Sequence, residues 1–390
     1  MNFTRRIAIP PTLPFDVHLK PASKWLPFPL DQQGHRIFSL SRHALWNACR
    51  TLGLGANDIV LVPAFHHGSE IEALLKAGMK IRYYELTEML EPDLENLLSL
   101  LDPNVRALHL IHYWGFPQNA PRWRKWCDDH GLLLIEDGAQ AFLANCTEGP
   151  VGSFGDIAFF CLYKTYGIPD GGLLISTVPP PAPSVASQTG IWRTIKKHFN
   201  WLAEKNGLIG FVHLTVSPLM KWWKNRNFNS NDEFELEDPF TPPSAMTKRL
   251  IYRMVDKKTA ERRRENYRYL YNHLGKMVPK AFAFLPPGAS PLVFTIEVDN
   301  PRGFLKKLKR YGVIGGLLWP TPHPSLPYND FPATRGLRER AVSLPVHQGL
   351  TVSDLQQIVN AVYKSLSIEK QATARKENIQ PEPANAYVAK

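Results

Sequence analysis

Cysteine is scarce in this chain. Cys49, Cys127, Cys146 and Cys161 stand far apart with no CxxC spacing, which argues against a zinc site or a disulfide framework, and no metal ligand is assigned. Long apolar runs are missing as well. The longest uncharged one, Gly207 to Met220, is interrupted by His213 and Pro218 and is shorter than the roughly 20 residues that a membrane-spanning helix needs. The opening MNFTRRIAIPPTLPFDVHLK has no apolar run ahead of its prolines and Asp16, so it does not read as a secretory signal, and a cytoplasmic location is expected. No GxGxxG or GxxxxGK[ST] sits at a strand-to-helix turn, which weakens the dinucleotide-binding and phosphate-loop readings. Acidic residues are outnumbered, 35 Asp+Glu against 46 Lys+Arg for a net charge of +11, which favours anionic partners in general. No stretch matches a helix-turn-helix or other recognition module, so nucleic acid is not among the expected partners.

What is present suits a folded α/β protein. At 390 residues, 44% hydrophobic and 21% charged, the chain is longer than one core usually supports, and two lobes are expected. Residues 1–30 are proline-rich and read as an arm. Short apolar runs at Ile59–Val62, Ile81–Tyr84, Ala107–His112, Leu132–Ile135, Ile157–Cys161 and Leu173–Ile175 look like buried strands, and helical spacing at Arg42–Leu54, Ser69–Ala77, Pro92–Leu101 and Pro121–His130 separates several of them. That rhythm predicts a large domain over 31–243 around a mostly parallel sheet. Within it, 178–243 forms an irregular excursion that opens on VPPPAPS. Residues 244–368 form a smaller C-terminal α+β domain, and 369–390 a disordered tail. The basic runs Lys196–Lys197, Arg262–Arg263–Arg264 and Lys306–Lys307 are expected to be solvated helix faces. The segment Trp192 to Arg226 mixes tryptophan, lysine and an apolar centre. It reads as a packing insertion or subunit contact, with peripheral membrane contact as the alternative.

Two stretches can carry chemistry. LLLIEDGAQAF delivers Glu136, Asp137 and Gln140 at the C-terminal end of an apolar strand, the end at which open α/β sheets bind ligands. A carboxylate there can hold a cationic ring nitrogen or a metal, or cap the next helix. DIAFFCLYKTYGIPDGG runs a hydrophobic strand into Lys164. Burial of an ammonium is costly, and enzymes use that cost to make a lysine attack a carbonyl and form a Schiff base. The alternative is a lysine that ends an edge strand and reaches water. A strand-end aspartate followed 27 residues later by a strand-end lysine is the pair that pyridoxal phosphate (PLP) chemistry needs: a carboxylate to keep the pyridine nitrogen protonated and an amine to hold the aldehyde.

With SRHALWNACRTLGL, DIVLVPAFHHGSEIEALLKAG, IEDGAQAF, VGSFGDIAFF, KTYGIPDGG and the late LPVH in that order, the chain resembles the DegT/DnrJ/StrS family of sugar aminotransferases over roughly Phe38 to Val362. The resemblance implies a PLP-dependent aminotransferase-like fold and a transaminase. It would move an amino group from an amino acid, glutamate being the expected donor, to a keto sugar, expected to be nucleotide-linked, in polysaccharide or secondary-metabolite sugar biosynthesis. It implies a homodimer. Residue by residue it makes Lys164 the Schiff-base lysine and Asp137 the partner of the pyridine nitrogen, and it puts Gln140 near the cofactor's phenolic oxygen and His67 where an aromatic residue stacks on the ring. Arg42 and His43 fall where the family holds the phosphate, with Ser41-Arg42-His43 in place of Ser-Gly-Thr. Cys161 or Tyr163 falls in the neighbourhood of a family serine. Some relatives are dehydratases with histidine at the lysine position; Lys164 favours transamination here. A PLP-binding protein without turnover and a membrane-surface protein of polysaccharide assembly are the alternatives.

Overall fold

A computed structural model describes residues 6–183, 190–205 and 234–377. Seven strands form the main sheet: β2 (Arg36–Phe38), β3 (Ile59–Pro63), β4 (Lys80–Tyr84), β5 (Val105–Ile111), β6 (Leu133–Asp137), β7 (Ile157–Cys161) and β8 (Gly172–Ser176), in the order β2-β8-β7-β6-β5-β3-β4. The five strands from β7 to β4 run parallel, and β8 and β2 close one edge antiparallel. The inner strands β3 and β7 are apolar throughout because both faces are covered, so their side chains alternate between two interiors rather than between core and water. Val60, Val62, Ala107 and Ile135 enter one apolar layer with Ala44, Leu45, Ile71 and Leu74 from α1 (Ser41–Thr51) and α2 (Ser69–Lys76). Leu61, Leu108, Leu110 and Leu134 enter the other with Trp123 and Cys127 of α4 (Ala120–His130); the short α3 (Leu94–Ser99) lies between β4 and β5.

The second layer continues without a break into the C-terminal part. There β9 (Val293–Glu297), β11 (Gly316–Leu317) and β12 (Ala341–Pro345) make a three-stranded antiparallel sheet in the order β11-β12-β9. The arm is tied in as well, since β1 (Ile7–Ala8) pairs parallel with β10 (Val313–Ile314). Among the described residues no helix is long and apolar enough to cross a membrane.

Four expectations change. The segment assigned to the smaller domain opens on two helices, Ala245–Met254 and Thr259–Leu274; the first buries Leu250 and Ile251 among Leu13, Phe142 and Phe160, on the large-sheet side rather than in the smaller lobe. The basic run at 262–264 is solvated only in part, because Arg262 is exposed but Arg263 is 1% exposed. The tail expected from 369 begins inside the last helix, Val352–Glu377, while 378–390 lie outside the described residues. Within the irregular excursion, Gly190–Lys205 is helical with Ile191, Trp192, Ile195 and Phe199 exposed, and 206–233 lie outside the described residues.

Candidate active site

At the C-terminal ends of the parallel strands lies a cavity of about 120 Å³ lined by Ser41, Arg42, His67, Glu70, Asp137, Gln140, Cys161, Tyr163, Lys164 and Trp319, among others. Parallel strands bring their last residues to one edge, and the helix that follows each strand starts there, so side chains from distant parts of the sequence converge. A larger cavity of about 500 Å³ lies between the arm and the helix pair 245–274. Its cations are engaged, Lys20 with Asp16, Arg262 with Asp256 and Arg253 with the carbonyl of His18, and it holds neither Asp137 nor Lys164.

The floor of the smaller cavity is the end of β6. Asp137 is buried, and its Oδ1 accepts the Ala139 N–H at 2.8 Å. Burial and the nearby Glu70 raise its pKa to about 7 against the opposing pull of Lys164. A carboxyl in that state lacks a cationic partner, and a protonated ring nitrogen fits the deficit. The neighbouring Glu136 points to the opposite face by the strand's two-residue period. It accepts the N–H groups of Gly152, Phe154 and Gly155 at 2.9, 2.8 and 2.6 Å and meets His112 Nε2 at 3.0 Å, so it ties down a loop. Gln140 Oε1 accepts the Trp114 N–H at 3.1 Å.

Lys164 does not end a strand. β7 stops at Cys161, and a single helical turn, α5 (Leu162–Thr165), turns the half-buried lysine into the cavity. The turn is held from behind: the Thr165 carbonyl accepts from Arg263 and from Gln348, each at 3.0 Å. Arg263 also donates to the Pro291 carbonyl and to Gln348 Oε1, which links the lysine turn to the C-terminal part.

Opposite stands the start of α1. Its first N–H groups have no intrahelical partner and no side chain caps them, which makes the helix end a ready anion site. Gly172 is required beside it, because a Cβ there would lie 2.1 to 2.3 Å from the backbone of Leu40 and Ser41. Cys161 donates its thiol to Ser41 Oγ at 2.9 Å, with the Tyr163 hydroxyl 3.7 Å from its sulfur. Arg42 lines the cavity and its buried Nε lacks a protein partner. His43 is a correction. Its ring is buried outside the cavity lining, within 2.9 Å of Ser39 Oγ and 2.7 Å of the Leu236 carbonyl, and burial lowers its pKa. The imidazole braces α1, and an anion would meet only the backbone at this position.

Residues 39–182 match the DegT/DnrJ/EryC1/StrS aminotransferase family. The match covers less than half of the chain. The GDP-perosamine synthase of Vibrio cholerae is 30% identical over 136 residues, which are 34% of this chain and 37% of that one. A UDP-N-acetyl-3-dehydro-alpha-D-glucosamine 3-aminotransferase of Acidithiobacillus ferrooxidans is 28% identical over 178 residues, 43% of this chain and 45% of that one. The matched stretches thus span less than half of either relative. S. venezuelae DesV, solved in complex with a ketimine intermediate, shares the fold with a TM-score of 0.61 at 20% identity over 85% of this chain and 84% of that one.

His67 was expected from the resemblance, whereas Glu70, Trp319 and Arg338 were not. His67 lines the cavity and lies edge-on to Trp319 at 6.2 Å and to Phe234 at 5.9 Å. Glu70 sits at the head of α2 and accepts the N–H groups of His67 and Gly68 at 2.9 and 3.2 Å. Burial opposes its charge, but His67, His66 and its backbone bonds outweigh that and hold its pKa low. Trp319 enters from the C-terminal part, in the left-handed region with φ of 45°. Arg338 donates to the carbonyls of Trp319, Ala64 and His66 and lies 4.9 Å over the Phe65 ring, fastening Trp319 to the loop that carries His67. The glutamate in HHGSE was the one available signal; Arg338 and Trp319 had none.

Proposed function

We propose that the protein is a PLP-dependent transaminase that takes an amino group from an amino acid, glutamate first, and delivers it to a nucleotide-linked keto sugar, acting as a homodimer. The observation that carries this reading is the placement of Lys164 and Asp137 in one cavity with the uncapped start of α1. The names of the relatives, which specify GDP- and UDP-linked sugars, support the substrate class. The family match over 39–182 supports the cofactor, and the basic net charge of +11 suits a phosphorylated substrate.

Bound PLP supplies an aldehyde that captures amines and a protonated ring that takes up an electron pair. The chain's own residues then divide the work. The free N–H groups at Ser41 and Arg42, with the Arg42 guanidinium, hold the phosphate. Asp137 accepts from the ring nitrogen and keeps it charged. Lys164 Nζ would hold the aldehyde carbon of bound PLP and would be released by a donor amine. Its amine, once free, would be placed to move a proton between the donor's α-carbon and the cofactor. Trp319 and His67 close one side against water. In the return half Lys164 would move the proton in the opposite direction as the nitrogen passed to the ketone, whose oxygen would leave as water.

Borohydride reduction of the PLP-loaded protein, followed by peptide mass mapping, should place the label on Lys164, and Lys164→Ala should lose both label and turnover. Glutamate should convert the loaded cofactor to its amino form with release of 2-oxoglutarate. A label on another lysine, or a cofactor that no amino acid discharges, would sink the reading; the second outcome would leave a PLP-binding protein without turnover.

A further inference from the structure

One buried group beside the site remains without a role. His109 lies on β5, adjacent to β6, with its side chain fully buried. Among the described residues neither ring nitrogen has a hydrogen-bond partner. A neutral imidazole carries one donor and one acceptor, and leaving both unmet in the interior costs free energy that a core position would avoid with an apolar residue. The ring is held parallel to Phe159 at 6.1 Å and 8°. Its Nε2 lies 3.7 Å from Asp137 Oδ2, the carboxylate oxygen that Ala139 leaves free. That separation exceeds a hydrogen bond by less than about 1 Å.

We propose that His109 is a positioning residue: once a cationic ring nitrogen faces Asp137, His109 Nε2–H closes onto Oδ2 from behind and holds the carboxylate charged and aimed. This rests on the cofactor reading above. The physical need is specific. Asp137 is buried with Glu70 acting on it through space, both of which favour its protonated form, and a protonated Asp137 cannot hold a pyridinium. A donor behind the carboxylate favours the charged form. His109 can supply it without bringing a second cation into the site, since burial keeps the ring neutral and Glu70 opposes this only in part. No proton is transferred; the bond formed is Nε2–H to Oδ2. The charged and titratable groups around the pair are Asp137, Glu70, Lys164 and the neighbouring His66 and His67.

The test uses the holoprotein loaded with ring-15N PLP. The nitrogen shift, followed against pH, reports ring protonation independently of turnover. His109→Phe should keep the borohydride label on Lys164 but lower the midpoint of ring protonation, with a loss of roughly tenfold or more in the protonation equilibrium, the scale of one hydrogen bond to a charged group. His109→Gln, which retains a donor, should restore most of it. A second measurement needs no variant: in 15N-histidine-labelled wild type, loading should leave His109 singly protonated on Nε2. A wild-type ring-protonation curve in His109→Phe, or a proton on Nδ1, overturns the proposal while the Lys164 label keeps the cofactor reading intact. No label in the wild type overturns both.

Discussion

Asp137 and the imidazoles near it make the protein's response to pH a residue-scale question. Burial drives His66 down to about 3 and His109 down to about 4. The folded chain therefore binds fewer protons at these sites than the unfolded chain does, so their contribution is complete above pH 6.5 and is lost as pH falls toward 4. Asp137 acts in the opposite sense in the cofactor-free protein. Its carboxyl, raised to about 7, retains a proton that the unfolded chain releases near 4, so its cost grows as pH rises between those values. A cation on Asp137 removes that cost. The rise in melting temperature on adding PLP should accordingly be larger at pH 8 than at pH 5, and an equal or reversed shift would contradict the pairing. Asp137→Asn keeps the shape and removes the charge, so transamination should fall by roughly two orders of magnitude or more while some cofactor stays bound. Near-normal single-turnover rates in that variant would refute the role.

Among the elements, the junction of β8 with α1 carries the most consequence. Phe38 pairs with Gly172 across β2 and β8, and the backbone of Gly172 passes so close to Leu40 and Ser41 that any Cβ must displace backbone rather than a side chain. Gly172→Ala should shift the first turn of α1, lower stability by roughly 1–3 kcal/mol and weaken PLP binding at least tenfold. Titration by cofactor fluorescence alongside a denaturant melt would separate the two effects. A variant with wild-type PLP affinity would show that the helix end is not where the phosphate sits. The lysine turn depends on an element far from it in sequence, since Arg263 on the helix Thr259–Leu274 reaches the Thr165 carbonyl. Its burial takes the middle arginine of the run at 262–264 out of solvent.

At the scale of the whole molecule, one apolar layer runs from the large sheet into the C-terminal strands, and Arg338 and Arg263 fasten the C-terminal part to the two loops that carry His67 and Lys164. The helix Gly190–Lys205 leaves Trp192 78% exposed in line with Ile191, Ile195 and Phe199, a stripe that a subunit contact would cover. Light scattering at micromolar concentration should give twice the mass of one 44.3 kDa chain; a single-chain mass would count against the homodimer.

The alternation of apolar runs and helical spacing determined the strands and the parallel sheet, because a strand covered on both faces must be apolar along its whole length. The end of β6 and the segment after β7 also showed in the sequence where a carboxylate and an amine would stand, since parallel strands all present their C-terminal ends to one edge. Side-chain direction was not legible in the same way. Whether His43 faced an anion or the backbone of Leu236, whether Glu136 or Asp137 turned to the cavity, and whether Arg263 met water or Thr165 depended on partners 193, 16 and 98 residues away. Only the tertiary structure decided those, because hydrogen bonds between distant segments leave no periodic trace in the chain. The same holds for Trp319 and His109, which chain pattern does not distinguish from ordinary buried rings and which matter only through what folding sets beside them.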